Sequence, residues 1–375
     1  MTWNIPLFKM YYDDDDIDSV STALRSGMNW AVGPNVIDFE AGIADYIGSK
    51  YCLTFNSGTS ALHTALIAHG IGTGDEVIVP SFTFIATANA PLFVGAKPVF
   101  ADIEESTLGL SPNSVLEQIT QKTKAIIPVH YGGCPCQIRE LREIADDHNL
   151  VLIEDAAEAF GASINGTMVG TYGYSAMLSF CQNKVITTGE GGALVTDDRD
   201  LYEQAKLIRS HGRLETADYF SSYQSMDYVT LGYNFRLSNI TAALGLAQLR
   251  KADAIISMRK AIAELYTTLL QKKVPEVSVM SPPDGYTHVH QLFSVRASDR
   301  DGLMKYLADQ GIMSKIYFDP VHLTHHYRSM PGYEVSLPVT ERVAGDILSL
   351  AIYPGMPEEE VMCVVDSIAE YYAVK

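Results

Sequence analysis

The chain is poor in cysteine, tryptophan and basic residues, and it has no long apolar run. Its 375 residues include five Cys and two Trp, and 27 Lys and Arg stand against 45 Asp and Glu, a formal net charge of −18. The odd, scattered thiols (Cys52, Cys134, Cys136, Cys181, Cys363) do not form a disulfide framework. Cys134 and Cys136 in GGCPC are one residue apart with no second pair, so they read as core or loop thiols rather than zinc ligands. His288 and His290 would share one face of a strand, yet no acidic third ligand is near in sequence, and no metal site is expected. The acidic balance excludes nucleic acid and anionic membrane surfaces as partners, because both need clustered Lys and Arg. No apolar run reaches the roughly 18–20 residues that span a bilayer. The opening MTWNIPLFKMYYDDDD lacks a basic start and apolar core, so no signal peptide is expected. A reducing, cytoplasmic setting follows as the expectation.

What is present is an alternation of short apolar runs and helical segments. YCLTF (51–55), DEVIVP (75–80), KPVFADI (97–103), KAIIPVHYGG (124–133) and LVLIEDAA (150–157) read as strands. SGTSALHTALIAHG and FIATANAPLFVG read as intervening helices, and MLSFC and GGALVTDD as two further strands. Near-continuous apolar strands separated by helices predict an α/β fold with a large, mostly parallel seven-stranded sheet covered on both faces. The run Asp13–Asp16 predicts the acidic first turn of a helix rather than a metal cluster. One long helix is expected over NITAALGLAQLRKADAIISMRKAIAELYTTLLQ, followed by a smaller α+β region with strands near HVHQLFSVRA and SKIYFDP. The expected division is a large domain, 1–250, and a small C-terminal one, 251–375.

The chemistry concentrates in SFCQNKVITTGEGG (179–192), where Lys184 stands among small, polar and glycine residues. A lysine amine held partly neutral forms a Schiff base with an aldehyde cofactor. Asp155, ending the strand VLIED, could pair with a protonated pyridine nitrogen, or else cap a helix. Strand 51–55 runs into NSGTS, where Gly58, Thr59 and Ser60 would offer backbone N–H groups and hydroxyls to a phosphate, or form an ordinary helix cap. Ser179 could add a hydroxyl to that cup, and glycines 189, 191 and 192 let the chain turn tightly back as a strand.

The ordered set SGTSAL, SFTFIATANA, GAKPVFADI, IEDAAEAFGA, SFCQNKVITTGEGG and LGYNFRLSNITAALGLAQL strongly resembles the DegT/DnrJ/EryC1/StrS family of pyridoxal-phosphate sugar aminotransferases, over nearly the full chain. The resemblance implies a fold-type-I enzyme that works as a homodimer with active sites at the subunit interface. It implies Lys184 as the Schiff-base lysine and proton shuttle, and Asp155 as the pyridine-nitrogen partner. Gly58, Thr59 or Ser60, with Ser179, match the phosphate cup, Phe84 the stacking aromatic, and Glu158 a position beside the ring. Asn234 matches an asparagine that reaches the phosphate from the partner subunit. The implied reaction moves an amino group from L-glutamate, releasing 2-oxoglutarate, through the pyridoxamine form to a nucleotide-linked keto-sugar. Glu158 and the ITTGEGG loop favour carbon 4 of a 4-keto-6-deoxy sugar, as in perosamine-synthase-like members; members acting on carbon 3 more often carry Gln at the Glu158 position. Trp30, His211, Tyr317 and His322 are the candidates for substrate contact, each with a plain packing alternative. Cys181 departs from the His or aromatic often found there. A dehydratase relative would replace Lys184 by His, and a cofactor-binding sensor without turnover has no appended DNA-binding module here to support it.

Overall fold

The computed structural model describes residues 3–214, 223 and 225–374. Seven strands form the large sheet: β1 (Tyr51–Phe55), β2 (Glu76–Pro80), β3 (Lys97–Ala101), β4 (Thr123–Ile126), β5 (Val151–Asp155), β6 (Ser175–Ser179) and β7 (Gly192–Thr196). Their order is β1-β7-β6-β5-β4-β2-β3. β7 runs antiparallel to both neighbours, and every other adjacent pair in the sheet is parallel. The apolar strands follow from burial on both faces: Leu152, Ile153, Ala176 and Val195 are all fully enclosed. Crossover helices bring each parallel strand back in the same direction, so β1, β2, β4, β5 and β6 all end at one edge of the sheet. Side chains placed just beyond those ends converge, which is where sheets of this type hold ligands.

The N-terminal acidic run begins a helix, as expected. Asp13 caps Asp14–Arg25, its side chain accepting the Asp15 N–H, while Asp16 returns a bond to the Asp13 N–H at 2.9 Å. The single long helix expected after residue 238 is instead two, Asn239–Leu249 and Ala252–Lys273. Lys251, at the break, reaches back to Asp13 and Asp16, so a long-range ion pair holds the chain where propensity alone favours continuation.

Helix Ala252–Lys273 links two cores. Its first turns place Ile255 and Ile256 with Phe39 and Phe180 beside the large sheet. Its later turns place Ile262, Tyr266 and Leu270 in a separate core with Val295, Leu348 and Val365, which also takes in Ile5 from the N-terminal segment. That second core carries a three-stranded antiparallel sheet of β8 (Val277–Val279), β9 (Phe293–Ala297) and β10 (Ile347–Leu350). The strand expected at SKIYFDP is absent: Lys315 makes only an isolated bridge to Ser349. His288 and His290 precede β9 rather than lying in a strand. They stack with ring centroids 4.0 Å apart, because His290 turns the backbone at φ +51.

Candidate active site

Asp155 is the last residue of β5 and 4 % exposed. Strand alternation points it and Glu154 to opposite faces. Thr87, on helix Ile85–Phe93 after β2, donates its hydroxyl to Asp155 Oδ2 at 2.7 Å, and the Ala157 N–H bonds Oδ1 at 3.2 Å. Burial nevertheless pushes the carboxyl above its ordinary value, and these two bonds with the Lys184 charge only partly offset that. A carboxylate placed this way gains from a cation brought against it, which a protonated pyridine nitrogen supplies.

Lys184 follows a tight turn in which its N–H bonds the Cys181 carbonyl at 2.9 Å. Its Nζ lies 3.4 Å from Glu158 Oε1, the pair being 14 % and 6 % exposed. The other carboxylate oxygen of Glu158 accepts the Gly132 N–H at 2.9 Å. Tyr317 completes this corner: burial, with the Glu158 carboxylate nearby, pushes its phenol above the ordinary range, while Asn183 shares a hydrogen bond with it. Its backbone carbonyl accepts the Tyr131 hydroxyl. Phe84 is 60 % exposed beside Phe318, whose ring centroid is 6.2 Å away, so one aromatic face remains open at the same edge.

The cup is built from the start of helix Gly58–Ala68. Ser57 caps it, accepting the Ser60 N–H at 3.1 Å, and the Ser60 hydroxyl donates to Asn56 Oδ1 at 2.6 Å. A Cβ at Gly192 would stand 2.5 Å from the Gly58 nitrogen, and one at Gly58 would stand 2.7 Å from Met177 Sδ. Glycine at 192, where the obstacle is backbone, lets this helix start against the ends of β6 and β7, beside Ser179. An amine, a buried carboxylate short of a cation, an open aromatic face and a helix N-terminus with hydroxyls form the donor set that pyridoxal phosphate requires.

The other expected residues fall differently. Asn234 is exposed, with its carbonyl 3.5 Å from Asn56 Nδ2 of its own chain. Trp30 is half exposed and accepts the Asn239 N–H through its carbonyl. His211 is exposed with a left-handed backbone, its N–H bonding the Tyr233 carbonyl. Among the described contacts neither touches Lys184, Glu158 or Asp155. His322 is 3 % exposed, with its Nδ1 2.6 Å from the Ser81 hydroxyl and its Nε2 facing Glu341 at 3.4 Å. Cys181 lies 3.8 Å from Glu190 Oε1, at the rim of the lysine turn. Cys134 and Cys136 are buried thiols, raised by desolvation.

Sequence reasoning missed Thr87, Gly132 and the pair behind them. Glu154 is fully buried and accepts N–H groups from Gly170, Tyr172 and Gly173 at 2.7–2.8 Å. It also takes the His130 ring at 3.0 Å, whose other nitrogen accepts the Cys136 N–H. An acid beside Asp155 in an apolar strand was the available signal, since period-two alternation gives the two carboxyls different surroundings.

The chain is similar over nearly its whole length to several known proteins. It is 36 % identical over 377 residues to the GDP-perosamine synthase of Escherichia coli O157:H7, covering 99 % of each chain. The X-ray structure of S. venezuelae DesV superposes with a TM-score of 0.91 at 35 % identity, covering 99 % of each chain. The putative sugar aminotransferase Spr1654 of Streptococcus pneumoniae, solved in its PLP form, gives a TM-score of 0.92 at 25 % identity over 99 % of each chain. The family model matches residues 11–369, and the chain, a pyridoxal-phosphate-dependent aminotransferase, belongs to the DegT/DnrJ/EryC1/StrS aminotransferase family.

Proposed function

We propose that the enzyme transfers the amino group of L-glutamate to carbon 4 of a nucleotide-linked 4-keto-6-deoxy-hexose, yielding an amino-sugar for a cell-surface polysaccharide. The observation that carries the reading is the Lys184–Glu158 pair, 3.4 Å apart at the sheet edge that also holds buried Asp155. Bound there, pyridoxal phosphate supplies an aldehyde to take up the amino group and an electron-withdrawing ring. Asp155 would hold the charge of the ring nitrogen. Lys184 would carry the proton on its Nζ, and Glu158 would keep the amine oriented. Gly58, Thr59, Ser60 and Ser179 would hold the phosphate, and Phe84 would lie against the ring. Glu158 in place of Gln, and the similarity to a GDP-perosamine synthase, favour carbon 4 over carbon 3.

Tyr317, beside Glu158, is assigned to the nucleotide sugar, and so are Trp30, His211 and His322. The same proposal includes the two domains 1–250 and 251–375, a cytoplasmic location and a homodimer in which Asn234 serves the other copy's cup. The exposed apolar side chains Met28, Ile37 and Leu231, at 68 %, 68 % and 79 %, are apolar area that a second copy could cover. Among the described residues no helix is long and apolar enough to cross a membrane.

The test is a two-step spectroscopic titration. Glutamate should convert the absorbance of the bound cofactor to that of its pyridoxamine form, and Lys184→Ala should abolish the conversion. GDP-, UDP- and dTDP-linked 4-keto and 3-keto sugars are then offered to the pyridoxamine form. Recovery of the original band with a 4-keto sugar is expected. Turnover with 3-keto sugars alone overturns the carbon-4 assignment, and no response to glutamate overturns the whole reading.

A further inference from the structure

We propose that residues 289–292 form a clamp that sets the separation of Lys184 and Glu158, with Gln291 as its positioning residue. The segment holds both members of the pair from behind. Gln291, 3 % exposed, donates its side-chain amide to the carbonyl of Asn183, the residue that precedes Lys184. One residue on, the Leu292 N–H bonds the Gly132 carbonyl at 3.0 Å, and the Gly132 N–H in turn bonds Glu158 Oε2 at 2.9 Å. The Val289 N–H fixes the Gly133 carbonyl at 3.0 Å. The approach is close because residue 133 is glycine at φ +95, where a Cβ would meet Val289 Cγ2 at 2.6 Å and the Gln291 nitrogen at 3.1 Å.

The clamp has its own anchor. Arg259 is 2 % exposed on the helix that links the two cores, and its Nη1 donates to the carbonyls of His290 and Gln291 at 3.1 and 3.4 Å. Burial lowers its guanidinium to about 10, with no carboxylate contributing. Desolvating the guanidinium is costly, and the two carbonyls are the acceptors that offset that cost, which ties Arg259 to this segment. Directly after Leu292 the chain enters β9 of the small sheet. Displacement of that sheet therefore acts on the Asn183 carbonyl and the Gly132 peptide together, and alters the 3.4 Å separation at the amine. Gln291 touches neither Lys184 nor Glu158 among the described contacts; it acts through the Asn183 carbonyl.

The inference rests on Lys184 being the reacting amine, and its test is read in the cofactor-free and cofactor-loaded protein separately. In the cofactor-free protein, trace acetic anhydride acylates lysines, and peptide mass spectrometry gives the Lys184 rate relative to exposed Lys50. Gln291→Met keeps length and removes the donor. It should change that ratio by about threefold or more, and lower kcat of the loaded enzyme about tenfold with KM for glutamate held within about twofold. Should Gln291→Met lose the parent's circular-dichroism spectrum, Gln291→Glu, with the same shape, takes its place in both measurements. An unchanged labelling ratio with kcat within about twofold overturns the clamp. A changed ratio in an enzyme whose parent does not respond to glutamate supports the clamp while overturning the proposed function.

Discussion

Replacing Thr87 by Val tests whether Asp155 is held ready for a cation. The shape is kept and one hydroxyl is lost, the one 2.7 Å from Asp155 Oδ2. A hydrogen bond to a charged acceptor contributes about 1.5–3 kcal/mol, and its loss raises the carboxyl's affinity for a proton by roughly tenfold to a hundredfold. The same change strands the buried Thr83 hydroxyl, now 2.9 Å from Thr87 Oγ1, at a further cost of about 1–3 kcal/mol that does not depend on pH. The two losses separate by their pH dependence. Burial already raises Asp155 above its unfolded value, so its charged form opposes folding. Its favourable contribution is full at low pH and is lost as pH rises through the folded-state value. Removing the Thr87 bond extends that loss to higher pH and deepens it. Urea denaturation of the cofactor-free protein should therefore show a deficit that is larger near pH ~8 than near pH ~5. The acid limb of the pH–activity profile of the loaded enzyme should move upward, because a protonated Asp155 no longer offers an anion to the ring nitrogen. A deficit equal at both pH values, with an unmoved acid limb, refutes the assignment and leaves Thr87 as a packing residue.

Three further outcomes follow from the same geometry. Asp155→Asn removes a buried group whose charge opposes folding, so the cofactor-free variant should match or exceed the parent's stability at pH ~8 while transamination is lost; a marked loss of stability there contradicts the uncompensated charge. Gly192→Ala puts a Cβ 2.5 Å from the Gly58 nitrogen and forces the start of helix Gly58–Ala68 away from Ser179. It should weaken cofactor binding at least ~tenfold in an absorbance titration, about 1.4 kcal/mol, and an unchanged Kd contradicts the cup. Glu154→Gln replaces one acceptor oxygen by an N–H₂, which must face either the Gly170 N–H or those of Tyr172 and Gly173, and should destabilise by about 3–5 kcal/mol, read from the shift in urea midpoint; a neutral result means this buried acid is dispensable.

The parts of the site that could be read from sequence are those whose chemistry is rare at their position. Lys184 stands alone among small residues, Asp155 ends an apolar strand, and Gly192 marks a backbone approach that a Cβ would block. Thr87 and Gly132 carried no such mark, because a threonine on a helix and a glycine in a loop are ordinary until the sheet order places β4 beside β5 and β2 next beyond it. The misread helix has the same origin: Arg250 and Lys251 are good helix formers, and only the distant Asp13 and Asp16 fix a break there. His322 shows the same limit, since its buried partner Ser81 lies 241 residues away in the chain. Period and residue type are local, so they register the groups that do the chemistry. The second partners of those groups arrive from strands adjacent in space but distant in sequence, and it is these that set the amine 3.4 Å from Glu158 and leave Asp155 short of a cation.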